Sequence, residues 1–518
     1  MTDLIYPTLD LFVYDLRNGL GDNQLEISDR RNRFLEKLPD RLHDSVREGD
    51  RNCESEYQKL WQPKSNQDCD DEFTAKRDAD SLKGFDYPVE LKGYYYPVRV
   101  EDNYGLLVDC SVENKTDPQS ANLVKELRQE IEQNQLKGKQ GNIGQSWMIS
   151  GWIPPSPKKT PEQIARAYYQ ALMPDGDWAE DLDGKGKCMG ADIFELSQYD
   201  VVMKSEILGR TRRQQAVDAT IQDIQKSTHI IIIIYPDRET ADQAAYFYSD
   251  WMRLLAYRHK ILWCYGQSRL LKQLINLHFS EVEEYQKQIQ QELSTGQQLE
   301  ISVNLLRQVQ MVLNNYTIDL NSLDLQGSTI EINLSNYQKR LARIENRAQE
   351  KTEILSPESN NAQNDLSFLQ DFSQLVTDKY LLQIQKDSKN LERGQKLLVN
   401  IINAAKSRVE VEKTDRDRQF QDLVTIVGVG WAAGSFVKDY TPKTPSETNT
   451  STSQSETKRQ TDGSNTNSFY SNYISPLVYP VLVAIVVALL TGWLKNSCDR
   501  SPLLARIFGF LVGKISNK

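Results

Sequence analysis

Residues 230–235 read IIIIIY, a run of five isoleucines and a tyrosine that stops at Pro236. Isoleucine is β-branched, and β-branched side chains favour an extended backbone. The run contains no polar residue, so it lacks the alternation of a strand that has one face in water. Such a run is typical of a strand buried on both faces. The sequence therefore predicts a sheet that other elements cover on each side.

The chain before this strand reads as an α/β domain over residues 1–238. Tyr- and Val-rich stretches with turn residues between them predict further strands. Thr160, Pro161 and Gln163 form the start signal of a helix, with Thr at the N-cap, Pro at the first position and Gln three residues on. Residues 44–84 are polar and charged, which predicts a partly disordered insertion. The predicted strands are residues 9–14, 94–99, 105–112 and 146–153.

The composition changes at about residue 239, and residues 239–419 are predicted to be a helical, coiled-coil-like stalk. No proline occurs between Pro236 and Pro357, and apolar residues recur at helical spacing. Residues 282–293 and 336–354 look like amphipathic helices. From residue 369 a further helix, about 55 residues and roughly 80 Å long, is expected to lead into an apolar segment. Its apolar stripe needs partner helices from this chain or from a second subunit.

Residues 474–494 read ISPLVYPVLVAIVVALLTGWL and contain no charged side chain. A helix needs about 20 mostly apolar residues to cross a bilayer, and this segment meets that length. Tyr479 and Trp493 lie near its ends, where interfacial aromatic residues are common. We therefore predict a transmembrane helix here.

A second apolar segment, residues 420–437, is shorter and rich in small residues. Gly430 and Gly434 form a GxxxG pattern, and Gly428 lies two residues before it. Small residues let helices approach closely in lipid, so these three glycines are predicted to serve helix packing or a pore. A re-entrant or buried soluble helix is the alternative interpretation.

The two segments predict a membrane hairpin whose termini lie in the cytoplasm. The connector, residues 439–472, is rich in Ser and Thr and is predicted to be flexible. The tail, residues 495–518, is basic, which favours the cytoplasmic side. Acidic residues interrupt the N-terminal apolar stretch, so it does not resemble a secretory signal. These features predict an integral protein of the inner or plasma membrane.

Composition narrows the class of protein. The chain has 518 residues, a formal net charge of -10 and a mean hydropathy of -0.59. A protein that coats nucleic acid usually carries a basic excess, so no nucleic acid partner is expected. Six scattered cysteines without a CxxC pair are typical of reduced cytosolic thiols.

The search for chemistry finds no established motif, and no enzyme, cofactor or metal centre is predicted. The phosphate-binding pattern GxxxxGK[ST] is absent, and residues 184–187 (GKGK) are expected to form a surface loop. Asp102 and Asp109 flank the predicted hairpin and could bind a divalent cation, although turn chemistry also explains Asp102. The four histidines, at positions 43, 229, 259 and 278, show no metal-ligand spacing.

Arginines at positions 210, 212 and 213 are the weak candidates for ligand binding. A phosphate-bearing ligand could dock on Arg210, Arg212 and Arg213, because guanidinium groups bind phosphate in a bidentate way. A solvated helix face explains the same cluster without a ligand.

The order of these parts resembles the CorA-like magnesium transporter family, over about residue 230 to the end of the chain. That family has an α/β cytoplasmic domain, a long stalk helix, two membrane helices and a short basic tail. Its signature Gly-Met-Asn triplet is missing, because the matching place reads Gly434-Ser435-Phe436. The resemblance implies a homo-oligomer, a pentamer in the family, with a sensing domain above a pore.

Two functions remain open from the sequence. The first is an oligomeric ion channel or transporter that the cytoplasmic domain gates, with a divalent cation as a possible partner. The second is a membrane-anchored protein that binds a ligand or partner, for example a stress or defence effector, without transport.

Overall fold

The computed structural model describes residues 3–19, 23–39, 91–202, 224–295, 299–355 and 364–411. The chain divides into two compact units. The first contains residues 1–285 and 311–401, and the second contains residues 286–310 and 402–518. In the second unit Ile289, Val309 and Ile402 are buried. The sheet and the sites described below belong to the first unit.

Eight strands of the described residues form one mixed sheet with the order β2-β3-β1-β5-β8-β7-β6, and β4 pairs with β1. The pair β5 and β8 is parallel, whereas the other described pairs are antiparallel. The strands are β1 (Asp3–Leu16), β2 (Leu91–Val100), β3 (Asn103–Val112), β4 (Pro118–Ser120), β5 (Gly144–Trp152), β6 (Leu182–Cys188), β7 (Ala191–Val201) and β8 (Gln225–Tyr235).

The isoleucine run lies in an interior strand of this sheet and is buried, as the sequence predicted. Ile232 pairs with Ile149 of β5 on one side and with Phe194 of β7 on the other. All five isoleucines, 230 to 234, are at most 3% exposed. Because successive side chains of a strand point to opposite faces, the run has to be covered on both faces.

One face of the sheet is apolar and packs against short helices. These are α1 (Gln24–Leu35), α2 (Leu123–Gln129) with its π-helical extension Glu130–Gln135, α3 (Pro161–Leu172) and α4 (Trp178–Asp181). The predicted capping box of α3 is confirmed, because Gln163 N donates to Thr160 Oγ1 and Thr160 N donates to Gln163 Oε1. Buried side chains of the helices and strands form one continuous core on this face.

Long helices follow the sheet, as expected. They are α6 (Tyr248–Thr295), α7 (Leu299–Leu355) and α9 (Leu382–Val411). Two short helices lie before α6 and before α9: α5 (Arg238–Ala244) with the 3-10 turn Ala245–Phe247, and α8 (Phe368–Leu375) with the π-helical segment Val376–Leu381. The predicted helices at 282–293 and 336–354 are ends of the longer α6 and α7. The beginning of α6 shows no amphipathic stripe because residues 251–262 are all buried.

The beginning of α6 covers the second face of the sheet. The Tyr14 hydroxyl donates to the Met252 carbonyl over 2.8 Å. Gly144 of β5 lies directly under the His259 ring, since a Cβ at this glycine would be 2.4 Å from His259 Nδ1. A side chain at position 144 would therefore push helix and strand apart.

Several sequence predictions concern residues outside the described part of the chain. They are the insertion at 44–84, both predicted membrane segments (420–437 and 474–494), the connector 439–472 and the tail 495–518. Among the residues that are described, no helix combines the length and apolarity needed to cross a bilayer.

The central strand makes a direct prediction for stability. Replacing Ile232 by Ala should lower the free energy of unfolding by about 2–5 kcal/mol, since it removes buried methyl groups and leaves a cavity. Ile332→Ala is the matched control, because Ile332 of α7 is 60% exposed and its loss should cost less than about 0.5 kcal/mol. Chemical denaturation of both variants tests this. Equal losses would contradict the central position of β8.

Candidate functional site

The second face of the sheet carries a set of polar side chains, which we call the polar layer. Such groups are unusual in a core, because burying a polar group without a hydrogen-bond partner is costly. All of them except Tyr248 are buried. The polar layer consists of Asp10, Asp109, Ser146, Glu195 and His229 from the strands, and Tyr248, Arg258 and His259 from α6.

Ser146 is the centre of this layer, because its hydroxyl contacts two imidazole rings. Ser146 Oγ lies 2.7 Å from His229 Nδ1 and 2.6 Å from His259 Nε2. His229 Nε2 lies 2.9 Å from Glu195 Oε1. Arg258 completes the chain, with its Nε 3.6 Å from the same carboxylate oxygen. Four side chains thus form a continuous hydrogen-bonded row from Glu195 to His259.

The ion pair with Arg258 fixes the direction of these hydrogen bonds. With Glu195 as a carboxylate, His229 donates through Nε2 and accepts the Ser146 proton at Nδ1. The Ser146 oxygen then accepts from His259 Nε2. This leaves His259 Nδ1 as an unprotonated acceptor, and that atom has no hydrogen-bond partner among the described residues.

A serine, a histidine and a glutamate in a row are also the parts of a hydrolytic triad. The burial of this row argues for another role. Ser146, Glu195 and His229 are each at most 2% exposed, so a substrate carbonyl has no route to the hydroxyl in this conformation. The arrangement can hold α6 on the sheet and can respond to protons. It is the candidate functional site for these reasons.

Burial holds both histidines in the neutral form. The pKa of His229 and the pKa of His259 are well below the ordinary value of 6.5, because both rings are removed from water. The Arg258 guanidinium adds repulsion to each, and His229 adds repulsion to His259. Burial raises the pKa of Glu195, and Arg258 opposes that rise.

Asp10 and Asp109 are a second part of the polar layer. They are cross-strand neighbours on β1 and β3, and their carboxyl groups are hydrogen-bonded to each other. The Tyr248 hydroxyl donates to Asp10 Oδ2 over 2.6 Å. Burial raises the pKa of Asp10 to about 7, although the hydrogen bonds from Tyr248 and Asp109 lower it. The two carboxyl groups therefore hold a proton near neutral pH.

Arg258 also connects the polar layer to the later helices. Its guanidinium lies 4.8 Å from the centre of the Phe372 ring of α8. Tyr265 of α6 and Tyr380 of the π-helical segment stack with ring centres 4.1 Å apart, and Tyr199 of β7 lies 6.1 Å from Tyr380. The sheet, α6 and the segment before α9 are thus in direct contact.

Ion pairs hold the first part of α9 against α6. Asp387 lies 2.6 Å from Arg269 Nη1 and 2.8 Å from Lys272 Nζ. On α7, the Tyr316 hydroxyl donates to the Leu391 carbonyl over 2.7 Å. The helix α6 thus contacts α9 as well as the polar layer.

The structure does not bring together the two aspartates that the sequence suggested as a cation site. Asp102 lies in the β2–β3 turn and pairs with Lys260 Nζ at 2.8 Å. Asp109 lies six residues along β3 from the start of that strand, which places it about 20 Å from the turn. No group of three or more metal-ligating side chains occurs in the described part of the chain.

The expectation of a surface loop at residues 184–187 is wrong, because these residues belong to the edge strand β6. Both glycines permit close packing there. A Cβ at Gly184 would be 2.5 Å from Phe368 Cβ, and a Cβ at Gly186 would be 2.0 Å from the Asp365 carbonyl oxygen.

Arg210, Arg212 and Arg213, and the glycines at 428, 430 and 434, lie outside the described residues. The polar layer itself was missed from sequence. His229 and His259 are 30 residues apart, and Ser146 is more distant still. The four histidines show no motif spacing in the sequence, so nothing there points to Ser146.

Comparisons of this chain with protein families, with characterised proteins and with solved structures find no match.

The two neutral histidines predict a loss of stability in acid. Each ring takes up a proton on unfolding below about pH 6.5, so the free energy of unfolding falls as pH drops through 6.5, by up to about 1.4 kcal/mol per pH unit and ring. His259→Gln removes one such ring. Its unfolding free energy should fall less steeply than that of the wild type between pH 6.5 and 5. Urea unfolding at a series of pH values measures this. The same pH dependence of the unfolding free energy in both proteins would contradict a neutral, buried His259.

Asp10 makes a prediction of opposite sign. Its pKa is raised from 3.8 to about 7, so between these two pH values the folded state binds a proton that the unfolded state releases. The free energy of unfolding therefore falls as pH rises from about 4 to 7. The free energy of unfolding of Asp10→Asn should therefore rise relative to that of the wild type across this pH range, by at most about 4 kcal/mol. The difference should stay constant above pH 7. Asp371→Asn makes the same substitution at an exposed position of α8; it is the control and should not reproduce this gain. A difference between Asp10→Asn and the wild type that does not change with pH would refute the raised pKa.

Proposed function

We propose that this chain is a CorA-like integral membrane protein whose α/β domain and long helices gate an ion-conducting pair of membrane helices. The observation that carries the proposal is the order of the parts. A sheet domain is followed by long helices, α9 ends at Val411, and the apolar segment begins at residue 420 of the sequence. A homo-oligomer fits this function, since a two-helix hairpin needs further copies to enclose a pore.

The contacts of the first unit support a gating role. Arg258 joins the polar layer to Phe372, and Asp387 joins α9 to Arg269 and Lys272 of α6. Charged and stacked contacts of this kind are directional, so the helices that they join tend to move together. A state change at the sheet could therefore shift α9, the last described helix before the apolar segment.

Divalent and monovalent cations are both open as the conducted ion. The sequence lacks the Gly-Met-Asn triplet at residues 434–436, which is the selectivity element of the similar family. The glycines at 428, 430 and 434 would supply close helix packing around the pore.

The missing triplet also favours a second candidate, a membrane-anchored binding protein without transport. In that case the hairpin holds the α/β domain at the membrane, and the domain binds a ligand or partner in a stress or defence response. Replacing both apolar segments by an unrelated membrane hairpin separates the candidates, because an anchor would keep its function and a pore would lose it.

The proposed pore predicts ion flux in proteoliposomes that contain the full chain. Gly430→Leu with Gly434→Leu should abolish the flux but leave the protein in the membrane fraction, because bulk at a GxxxG pattern blocks close helix approach. Val429→Leu places the same leucine side chain beside the pattern, at a position that is already bulky, and should keep the flux. Absence of flux for every cation tested with the wild type would refute the pore and leave the anchor. A chain that stays in the aqueous fraction would refute both.

A further inference from the structure

Three arginines of α7 converge on a single carboxylate of α6. Asp250 is 1% exposed and accepts from Arg340 Nη1 at 2.9 Å. Arg347 Nη1 contacts the other oxygen of the same carboxylate, and Arg343 Nε lies 3.7 Å from its Oδ1. We call these four residues the arginine cluster.

The arginine cluster has more positive charge than its own carboxylate can balance. Three guanidinium groups against one carboxylate leave an excess of two positive charges. Like charges held this close repel each other, and the repulsion is stronger beside a buried group than in water.

The exposed members of the arginine cluster are the ones that can reach a ligand. The side chains of Arg343 and Arg347 are 53% and 31% exposed, whereas that of Arg340 is 5% exposed. Arg340 and Asp250 therefore form the floor of the cluster, and Arg343 and Arg347 form its outer side. The planar guanidinium group presents paired N–H donors that match the oxygens of a phosphate.

An exposed aromatic ring and a further cation lie beside the arginine cluster. Lys351 is one turn beyond Arg347 on α7, and its Nζ lies 5.2 Å from the centre of the Tyr246 ring. Tyr246 is 63% exposed, which is unusual for so large a side chain. Arg347 packs on the neighbouring Phe247 ring at 5.0 Å.

The acidic residue on the adjacent part of α5 is already engaged. Asp242 lies next to Gln243, the residue that accepts from Lys351 Nζ at 3.1 Å. Its carboxylate pairs with Arg238 one turn away at 3.6 Å. This pair is neutral, and two further carboxylates of these helices, Glu239 of α5 and Glu350 of α7, are exposed.

We propose that Arg343, Arg347 and Lys351 bind the phosphoryl group of a small phosphorylated ligand, with Tyr246 beside the rest of that ligand. The site joins α6 and α7 to the turn before α6, so an occupied site would tighten these contacts. The inference does not depend on ion conduction, because it uses contacts of the first unit alone.

Calorimetric titration of the full-length protein in a phosphate-free chloride buffer tests the proposal. Inorganic phosphate and adenosine monophosphate are the probes, and adenosine is the probe without a phosphoryl group. Both phosphorylated probes should bind and adenosine should not. Arg343→Gln should weaken the binding of both phosphorylated probes by about tenfold, as expected for one lost charged hydrogen bond. Failure of both phosphorylated probes to bind the wild type would overturn the proposal.

Lys396→Gln is the matched control, since it also removes one positive charge. Lys396 follows Gln395, whose side chain donates to Thr317 Oγ1 over 2.8 Å. Thr317 is 26 residues from Arg343 on α7, a distance of about 39 Å along the helix. This variant should bind phosphate as the wild type does. An equal loss in both variants would show a non-specific charge effect and overturn the site.

Thermal unfolding separates a ligand site from a purely structural cluster. Without phosphate, Arg343→Gln should be at least as stable as the wild type, because it relieves repulsion. With phosphate, the wild type should gain stability and the variant should not. A variant that is less stable without phosphate, together with a wild type that phosphate does not stabilise, would overturn the proposal.

Two further arms identify the source of the phosphoryl group. If the ligand carries a ring, Tyr246→Ala should weaken the binding of adenosine monophosphate and leave the binding of inorganic phosphate unchanged. If free phosphate is the ligand, the wild type should bind both probes with equal affinity. Binding to phosphatidic acid vesicles but to neither soluble probe would overturn a small-ligand site.

Discussion

The first unit depends on covering the isoleucine strand β8 on both faces. A strand with five consecutive apolar residues exposes two hydrophobic surfaces, and each must be removed from water. The short helices α1 to α4 cover one face with a continuous apolar core. The other face is closed by the first turns of α6, whose residues 251–262 are all buried. The position of α6 follows from this requirement, and the later helices are then placed by their contacts with α6.

The two faces of the sheet are closed by different physical means. The first face uses apolar packing, which tolerates small displacements because it has no fixed direction. The second face adds hydrogen bonds between Ser146 and two histidines, and a carboxyl pair at Asp10 and Asp109. Directional contacts allow fewer arrangements, and a buried polar group that loses its partner is penalised. The polar layer can therefore set one position of α6 on the sheet, and proton uptake can disturb it.

Charge has a different use where the same end of α6 meets α7. In the polar layer the Glu195 carboxylate faces one cation, Arg258. In the arginine cluster one carboxylate faces three guanidinium groups, and two of these are partly exposed. The first arrangement suits a closed structural contact, whereas the second suits an anion from solution. Both lie on α6, which makes this helix the common element of the proposed gating and of the proposed ligand site.

The sequence by itself determined the elements whose signals are local. The isoleucine run predicted β8, Thr160 and Gln163 predicted the start of α3, and the absence of proline between Pro236 and Pro357 predicted long helices. It also supplied the membrane segments, the connector and the CorA-like order, which stay predictions. Tertiary structure alone decided the polar layer and the arginine cluster, because Ser146, His229 and His259 meet only when three elements pack together. The edge strand β6 was missed for a related reason. Its glycines resemble a loop until the close approach of Phe368 and Asp365 explains why no side chain fits there.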